Sequence, residues 1–253
     1  EINNKSEFKT KYDCLLIKVN NALSTIIVEK EGPANTIYKA MNYSLMAGGK
    51  RLRPVLMLAV CEMLEGDVED IMPYACGLEM IHTYSLVHDD LPAMDNDDYR
   101  RGKLTNHKVF GYATAILAGD ALLNYSFEYM LAAILDKSRV KNYSLESGIK
   151  AIAYIARAAG VNGMIGGQIV DIESEGKKIT YEELEYIHNH KTGALIRASV
   201  MIPAILAQLD DDRKKALENY SSNIGLAFQV KDDILDSEGE FGLLGKSVGK
   251  DMN

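Results

Sequence analysis

Three carboxylates set into an apolar helical stretch constrain this chain most. From Gly225 to Asp236 the sequence reads Gly-Leu-Ala-Phe-Gln-Val-Lys-Asp-Asp-Ile-Leu-Asp, so Gln229, Asp232/Asp233 and Asp236 fall at i, i+3/i+4 and i+7 on one helix face. A solvated acidic helix would not carry Ile224, Leu226, Ala227, Phe228, Val230, Ile234 and Leu235 around its aspartates. Such carboxylates line a cavity inside a helix bundle, where buried acids need metal or cationic partners.

A second acidic cluster, Asp89–Asp98, reads Asp-Asp-Leu-Pro-Ala-Met-Asp-Asn-Asp-Asp and is followed by Arg100 and Arg101. Asp89 and Asp90 close an apolar helical run that begins near Met72 and is stopped by Pro92, which lacks an N–H and disfavours helix at the residue before it. The helix dipole opposes carboxylates at a C-terminus, so the pair calls for cations, either arginine or a hard divalent ion such as Mg²⁺. Alone, this run would equally suit a solvated loop; the second cluster weighs against that.

The remaining pattern is helical. Runs are expected over Phe8–Glu29, Thr36–Met46, Val55–Leu64, Met72–Asp90, Tyr112–Leu135 and Ile149–Ser174, and from the Thr180 capping box to Ile202 before Pro203. No segment alternates with the period of a strand. The expectation is an all-α, single-domain helical bundle over residues 1–253 with a deep central cavity. Tyr112–Leu135 is apolar, but Gly119, Asp120, Asn124 and Glu128 interrupt it, so no membrane span is expected. The chain has no leading methionine and stops at Asp251-Met252-Asn253 after a glycine- and lysine-containing loop, the pattern of a protein lacking its C-terminal segment.

Composition bounds function. At 253 residues with a net charge of −8, the chain is long enough for one large core and does not present the basic surface that nucleic acid rewards. Cys14, Cys61 and Cys76 have no metal-ligand spacing and are unpaired in number, which fits a reducing, cytoplasmic setting.

Several polar residues need a reason. Lys50-Arg51-Leu52-Arg53 follows Gly48-Gly49 and is either a solvated basic turn or a diphosphate clamp, because arginine forks match phosphate oxygens. Ser85 and His82 lie four and seven residues before Asp89 on the same helix face; His82 is either a ligand contact or a satisfied core histidine. Gln168 and Asp171 share a face and either join the acidic site or bond within the core. Gly193 stands inside a helix beside Lys191 and Thr192, which implies a close approach or a kink that aims them inward. Beyond Asp236, Lys246 and Lys250 sit on a glycine-rich loop from which they can swing onto phosphate. An EF-hand fails on pattern, because Tyr99 and Arg100 stand where a ligand and the turn glycine belong, and no P-loop is present. Acids, cations and apolar walls together describe a site for an anionic head on a hydrocarbon tail.

The stretches Gly48–Pro54, Glu79–Gly102, Lys191-Thr192-Gly193 and Phe228–Asp236 resemble the trans-isoprenyl diphosphate synthases, most of all the bacterial farnesyl diphosphate synthases. The resemblance implies an isoprenoid synthase fold, a homodimer, and three Mg²⁺ ions held by Asp89, Asp90, Asp95, Asp232, Asp233 and Asp236. It implies an allylic diphosphate gripped by Arg100, Lys191, Thr192, Gln229 and Lys246, and isopentenyl diphosphate gripped by Lys50, Arg53, His82 and Arg101. The implied catalytic set is Asp89, Asp90, Asp95, Asp232, Asp233 and Lys191, and the implied reaction is head-to-tail condensation giving mainly farnesyl diphosphate. A geranylgeranyl diphosphate synthase, a terpene cyclase and a non-catalytic prenyl-diphosphate binder are the alternatives. Product length is expected to rest on Tyr84 and Ser85. Five residues of helix rise ~7.5 Å, comparable with a short prenyl tail. Ser85 lies on the Asp89 face and Tyr84 is offset by roughly 100°, so the resemblance alone makes Tyr84 the floor, against its reading as an ordinary core aromatic.

Overall fold

Helical periodicity carries through nearly every segment. The computed structural model describes residues 2–136 and 142–238, with side chains over 5–136, 142–225 and 227. The chain divides into two compact units, Glu1–Lys141 and Asn142–Asn253.

The first unit holds α1 (Ile2–Ile26), α2 (Asn35–Leu45), α3 (Leu52–Met63), α4 (Val68–Asp89), α5 (Asn106–Phe110) and α6 (Tyr112–Leu135). Its centre is α4, whose residues from Asp70 to Ile81 are all buried; α1, α2, α3 and α6 pack against it. The helix begins at Val68, four residues before the expected start, because the Asp67 carboxylate accepts from the Glu69 amide at 2.9 Å while Glu69 and Asp70 complement the dipole. Pro73 is consequently an interior residue of α4. Between α4 and α5 lies a feature absent from the sequence reading, a minimal antiparallel hairpin of β1 (Tyr99–Arg100) and β2 (Lys103–Leu104). Its two connecting residues, Arg101 and Gly102, both have positive φ (53° and 75°), the twist that tight hairpins favour.

The second unit holds α7 (Leu145–Ala159), α8 (Met164–Ser174), α9 (Tyr181–Ile187), α10 (Gly193–Leu206) and α11 (Asp211–Glu238), with a π-helical turn, His188–Thr192, joining α9 to α10. Here α10 is central, buried along most of its length and packed on α7 and α11. The expected Ile149–Ser174 helix is two helices, because the chain turns at Gly160 and Gly163; a Cβ on Gly163 would lie 2.1 Å from the Ala158 carbonyl. The capping box at Thr180 is present, Thr180 and Glu183 each accepting from the other's amide. The helix it starts breaks at the π turn, and α10 runs on through Pro203, buried in the packed interior, to Leu206. Among the described residues no helix is long and apolar enough to cross a membrane.

Candidate active site

In the first unit the end of α4 and the hairpin gather most of the chemistry. Leu86 and His88 accept the amides of Asp90 and Leu91, and the chain then folds back so that the Asp95 amide donates to the Asp89 carbonyl at 2.9 Å. Asn96, at φ 53°, makes the reversal. One backbone hydrogen bond therefore sets the third aspartate of the motif beside the first, with both side chains half-buried.

Asp90 points elsewhere. It is 3% exposed, and Arg100 reaches back from β1 to place Nε at 2.6 Å and Nη2 at 2.5 Å from its Oδ1, with Asp97 Oδ2 3.8 Å from the same guanidinium. Burial raises the Asp90 carboxyl, and the Arg100 bond and charge pull it down. Burial also works against the Arg100 charge, but its bond to Asp90 and the charges of Asp89 and Asp97 outweigh that and hold it above its usual value. The two tendencies oppose each other; at these distances the pair is ionised.

The basic turn divides by side. Arg51, in the left-handed region at φ 47°, turns into the core. There it donates to Glu79 Oε1 (2.7 Å), the Leu45 carbonyl (2.5 Å) and Asn20 Oδ1 (3.2 Å), an ion pair with both side chains 1% exposed. Lys50 is exposed on the loop, where its carbonyl accepts from the Tyr12 hydroxyl. Arg53 is half-buried one turn into α3. Opposite the turn, Arg101 donates to the Gly48 carbonyl and its guanidinium lies flat on Gly49, where a Cβ would sit 2.5 Å from Cζ.

His82 belongs to this cationic group. Burial lowers its pKa well below the ordinary value, and the charges of Arg53, Arg101, Arg100 and Arg51 lower it further, so the imidazole is neutral among guanidinium groups. Its Ser85 neighbour donates to the His82 carbonyl at 2.9 Å. Two residues beyond His82, Tyr84 is 6% exposed, packs edge-on against His88 (centroids 5.8 Å apart), and has a buried hydroxyl with no hydrogen bond from the described residues. Burial, aided by the Asp89 charge, pushes that phenol up to about 12. His88 is fixed by donating Nε2–H to the Ile116 carbonyl at 3.0 Å, over Gly119, where a Cβ would lie 2.1 Å from the ring.

In the second unit Lys191 sits on the π turn and bonds the Asp171 carboxylate of α8, so Asp171 does join a candidate site residue. Gly167 of α8 makes this possible, since a Cβ there would meet the Lys191 amide at 2.2 Å. Gly193 has both features expected of it, the π turn on its N-terminal side and the close approach of Gly225 in α11, whose added Cβ would be 3.3 Å from Gly193 Cα. Thr192 ends the same turn. Gln229, Asp232, Asp233 and Asp236 all lie on α11, so their shared helical register holds; their side chains, and Lys246 altogether, lie outside the described residues. A concavity of this unit, about 640 Å³ and lined by Tyr154, Arg157, Met201 and Lys214 among others, lies at the opposite end of α10 from Lys191.

The donor chemistry at the α4 loop suits Mg²⁺. Among the described residues no three His, Cys, Asp or Glu side chains converge as a ready metal cage. Mg²⁺ does not require one, because it keeps several waters and binds through one or two carboxylates plus substrate phosphates. Asp89 and Asp95, whose backbones the fold-back joins, are oxygen donors that could supply that kind of partial shell. The sequence reading missed the Asp97 contact to Arg100 and the packing of His88; nothing in the pattern of residues separates Asp97 from the other acids of the run.

The sequence pattern described as polyprenyl synthetase matches residues 34–253. The farnesyl diphosphate synthase of Geobacillus stearothermophilus is 51% identical over 235 residues, covering 93% of this chain and 77% of that one. The geranylgeranyl diphosphate synthase of Cyanophora paradoxa is 51% identical over 222 residues, covering 87% and 72%. A crystal structure described as an FPP/GFPP synthase from Zymomonas mobilis superposes with a TM-score of 0.85 at 34% identity, covering 96% of this chain and 84% of that one.

Proposed function

The chain belongs to the polyprenyl synthetase family, and from that premise we propose that it is a prenyltransferase that condenses isopentenyl diphosphate head-to-tail with dimethylallyl or geranyl diphosphate, giving mainly farnesyl diphosphate and releasing diphosphate. The observation that carries the reading is one fold-back at the end of α4. It sets Asp89 beside Asp95 and brings Arg100 onto Asp90, while Arg101 meets the Gly48–Arg53 turn and His82 lies neutral among the arginines. Acids for a metal–diphosphate complex and cations for a second diphosphate therefore share one corner of the first unit.

Enzymes of this family depend on metal. We assign Asp89, Asp90 and Asp95, with Asp232, Asp233 and Asp236, as the residues that would hold Mg²⁺, three ions per site; Asp90 would be available to metal once the diphosphate engaged Arg100. Bound Mg²⁺ supplies charge neutralisation to a departing diphosphate. Arg100, Lys191, Thr192, Gln229 and Lys246 orient the allylic diphosphate, Lys191 exchanging its partly exposed Asp171 partner for phosphate oxygens, a low-cost exchange for a pair of that exposure. Lys50, Arg53, His82 and Arg101 hold isopentenyl diphosphate so that its double bond faces the ionising carbon, an orientation effect rather than nucleophilic catalysis by the protein. Apolar walls such as Leu86 and Val87 keep water from the allylic cation. The last proton leaves to the released diphosphate, and Tyr84 closes the tail cavity.

We further assign both units to one polyprenyl synthetase domain, since the matched stretch runs through the boundary at Lys141. A homodimer is supported by α6, which leaves Ile116, Leu117, Leu131 and Leu135 exposed, and a reducing cytoplasm by Cys14, Cys61 and Cys76, all free thiols. Incubation with isopentenyl diphosphate and each allylic diphosphate in Mg²⁺, followed by chromatography of the dephosphorylated products, tests the reading. Farnesol as the main product supports it, geranylgeraniol favours the longer-chain alternative, and a cyclised hydrocarbon contradicts it.

A further inference from the structure

The residues that leave the hairpin are more deeply buried than the arginines it carries. Thr105, Asn106 and His107 are 2%, 2% and 3% exposed. Thr105 faces backward: its amide donates to the Asp98 carbonyl (3.0 Å) and its hydroxyl to the Asp97 carbonyl (2.8 Å). With that proton committed, Thr105 Oγ1 accepts from His107 Nδ1–H at 3.2 Å, which fixes the tautomer of a ring whose neutral form burial favours. Asn106 faces sideways: its Nδ2 donates to the Ala40 carbonyl and to Ser44 Oγ, both at 2.8 Å, on α2. Beside it the Tyr43 hydroxyl donates to the Leu104 carbonyl at 2.8 Å. The end of α2 in turn leads to Gly48, the acceptor of Arg101.

We propose that Thr105 and Asn106, with His107 behind them, are positioning residues that lock the Arg100–Arg101 hairpin at once to the aspartate loop and to the α2–Gly48 segment. Two observations favour this role over plain stabilisation. The bonds run to the three segments whose mutual placement sets the cationic corner, and to nothing remote from it. The knot also leaves Asn106 Oδ1 and His107 Nε2 buried with no hydrogen bond from the described residues, which works against stability; a polar cluster kept despite that is explained by what it holds in place. Neither residue touches substrate in this scheme. Their effect passes through Arg100 and Arg101.

The inference rests on the diphosphate-binding role proposed above, and its test separates the two. Thr105→Val keeps the shape and removes both hydroxyl bonds; Thr105→Ser restores them. In the full chain, the KM for each diphosphate substrate, kcat, the melting temperature and the affinity for inorganic diphosphate are measured. Thr105→Val should raise both KM values and weaken inorganic diphosphate by about tenfold, with kcat changed far less, as loss of ground-state binding requires. Thr105→Ser should return them close to wild type. Asn106→Ser, too short to reach α2, should show the same split and serves if Thr105→Val does not fold. Wild-type KM and diphosphate affinity in a folded variant would overturn the proposal, as would losses that Thr105→Ser leaves unrepaired. A wild-type protein that binds diphosphate and forms no condensation product overturns the functional reading alone, because diphosphate affinity still reports on the hairpin.

Discussion

Gly49 separates backbone strain from placement of an arginine. Gly48 and Gly49 both have positive φ, 89° and 115°, so a side chain at either strains the backbone, costing about 1–3 kcal/mol. They differ in surroundings. A Cβ on Gly48 meets nothing within 4 Å, whereas one on Gly49 lies 2.5 Å from Arg101 Cζ, 2.7 Å from Nη1 and 2.8 Å from Nη2. The guanidinium is the end of a flexible side chain, so Gly49→Ala should displace Arg101 and not unfold the protein. Both variants should therefore lose roughly similar stability, at about 2–4 °C of melting temperature per kcal/mol. Only Gly49→Ala should also lose the Arg101 contact to isopentenyl diphosphate; a hydrogen bond to a charged group contributes about 1.5–3 kcal/mol, or some 10- to 100-fold in KM. Thermal melts and steady-state kinetics with each substrate varied in turn measure both effects. An isopentenyl KM equal in Gly48→Ala and Gly49→Ala would refute this placement of Arg101 at the site.

Other substitutions test other contacts. Arg51→Ala leaves Glu79 as an uncompensated buried charge and should cost about 3–5 kcal/mol in denaturant melts, while Lys50→Ala, on the exposed loop, should stay within about 0.5 kcal/mol; equal costs would contradict the inward turn of Arg51. His82 has a folded pKa below its unfolded value near 6.5. As pH falls through about 6.5 the unfolded chain takes up a proton that the folded one refuses, so stability declines from there towards the folded pKa and is unaffected by this group above it, at up to ~1.4 kcal/mol per pH unit. His82→Gln should flatten the melting temperature between about pH 6.5 and 5.5, and an unchanged slope would show that the imidazole is not held neutral. Tyr84→Phe, which removes a hydroxyl that has no hydrogen bond from the described residues, should leave product length unchanged, whereas Tyr84→Ala should lengthen the products beyond farnesyl at a stability cost of about 3–5 kcal/mol. A farnesyl-only product from active Tyr84→Ala would put the floor elsewhere.

What the sequence made legible followed from periodicity. Tyr112–Leu135 has the same ends in sequence and structure, because its apolar run is long and Gly111 precedes it. The aspartate motifs were legible because carboxylates among apolar neighbours demand an explanation on their own. Features set by backbone geometry or by packing from a distant segment were not. The hairpin has two residues per strand and places Arg101, rather than a residue that favours it, at positive φ. The π turn at Lys191 depends on Gly167 of another helix lying against its backbone. Three cations in Lys50–Arg53 gave no sign of which would face inward; that was decided by the left-handed φ of Arg51 and by Glu79, 28 residues away. Asp90 and Asp89 are neighbours with one composition and two environments, since Asp90 is buried and directly bonded by Arg100 while Asp89 is half-buried.

Metal-dependent condensation fixes a stoichiometry that can be measured directly. With isopentenyl and geranyl diphosphates as substrates, diphosphate released and isopentenyl carbon incorporated into prenyl product are counted together, first with Mg²⁺ and then with a chelator. The prediction is one diphosphate per new carbon–carbon bond in Mg²⁺, and neither product in the chelator. Diphosphate released without isopentenyl incorporation, or turnover undiminished by the chelator, would contradict it.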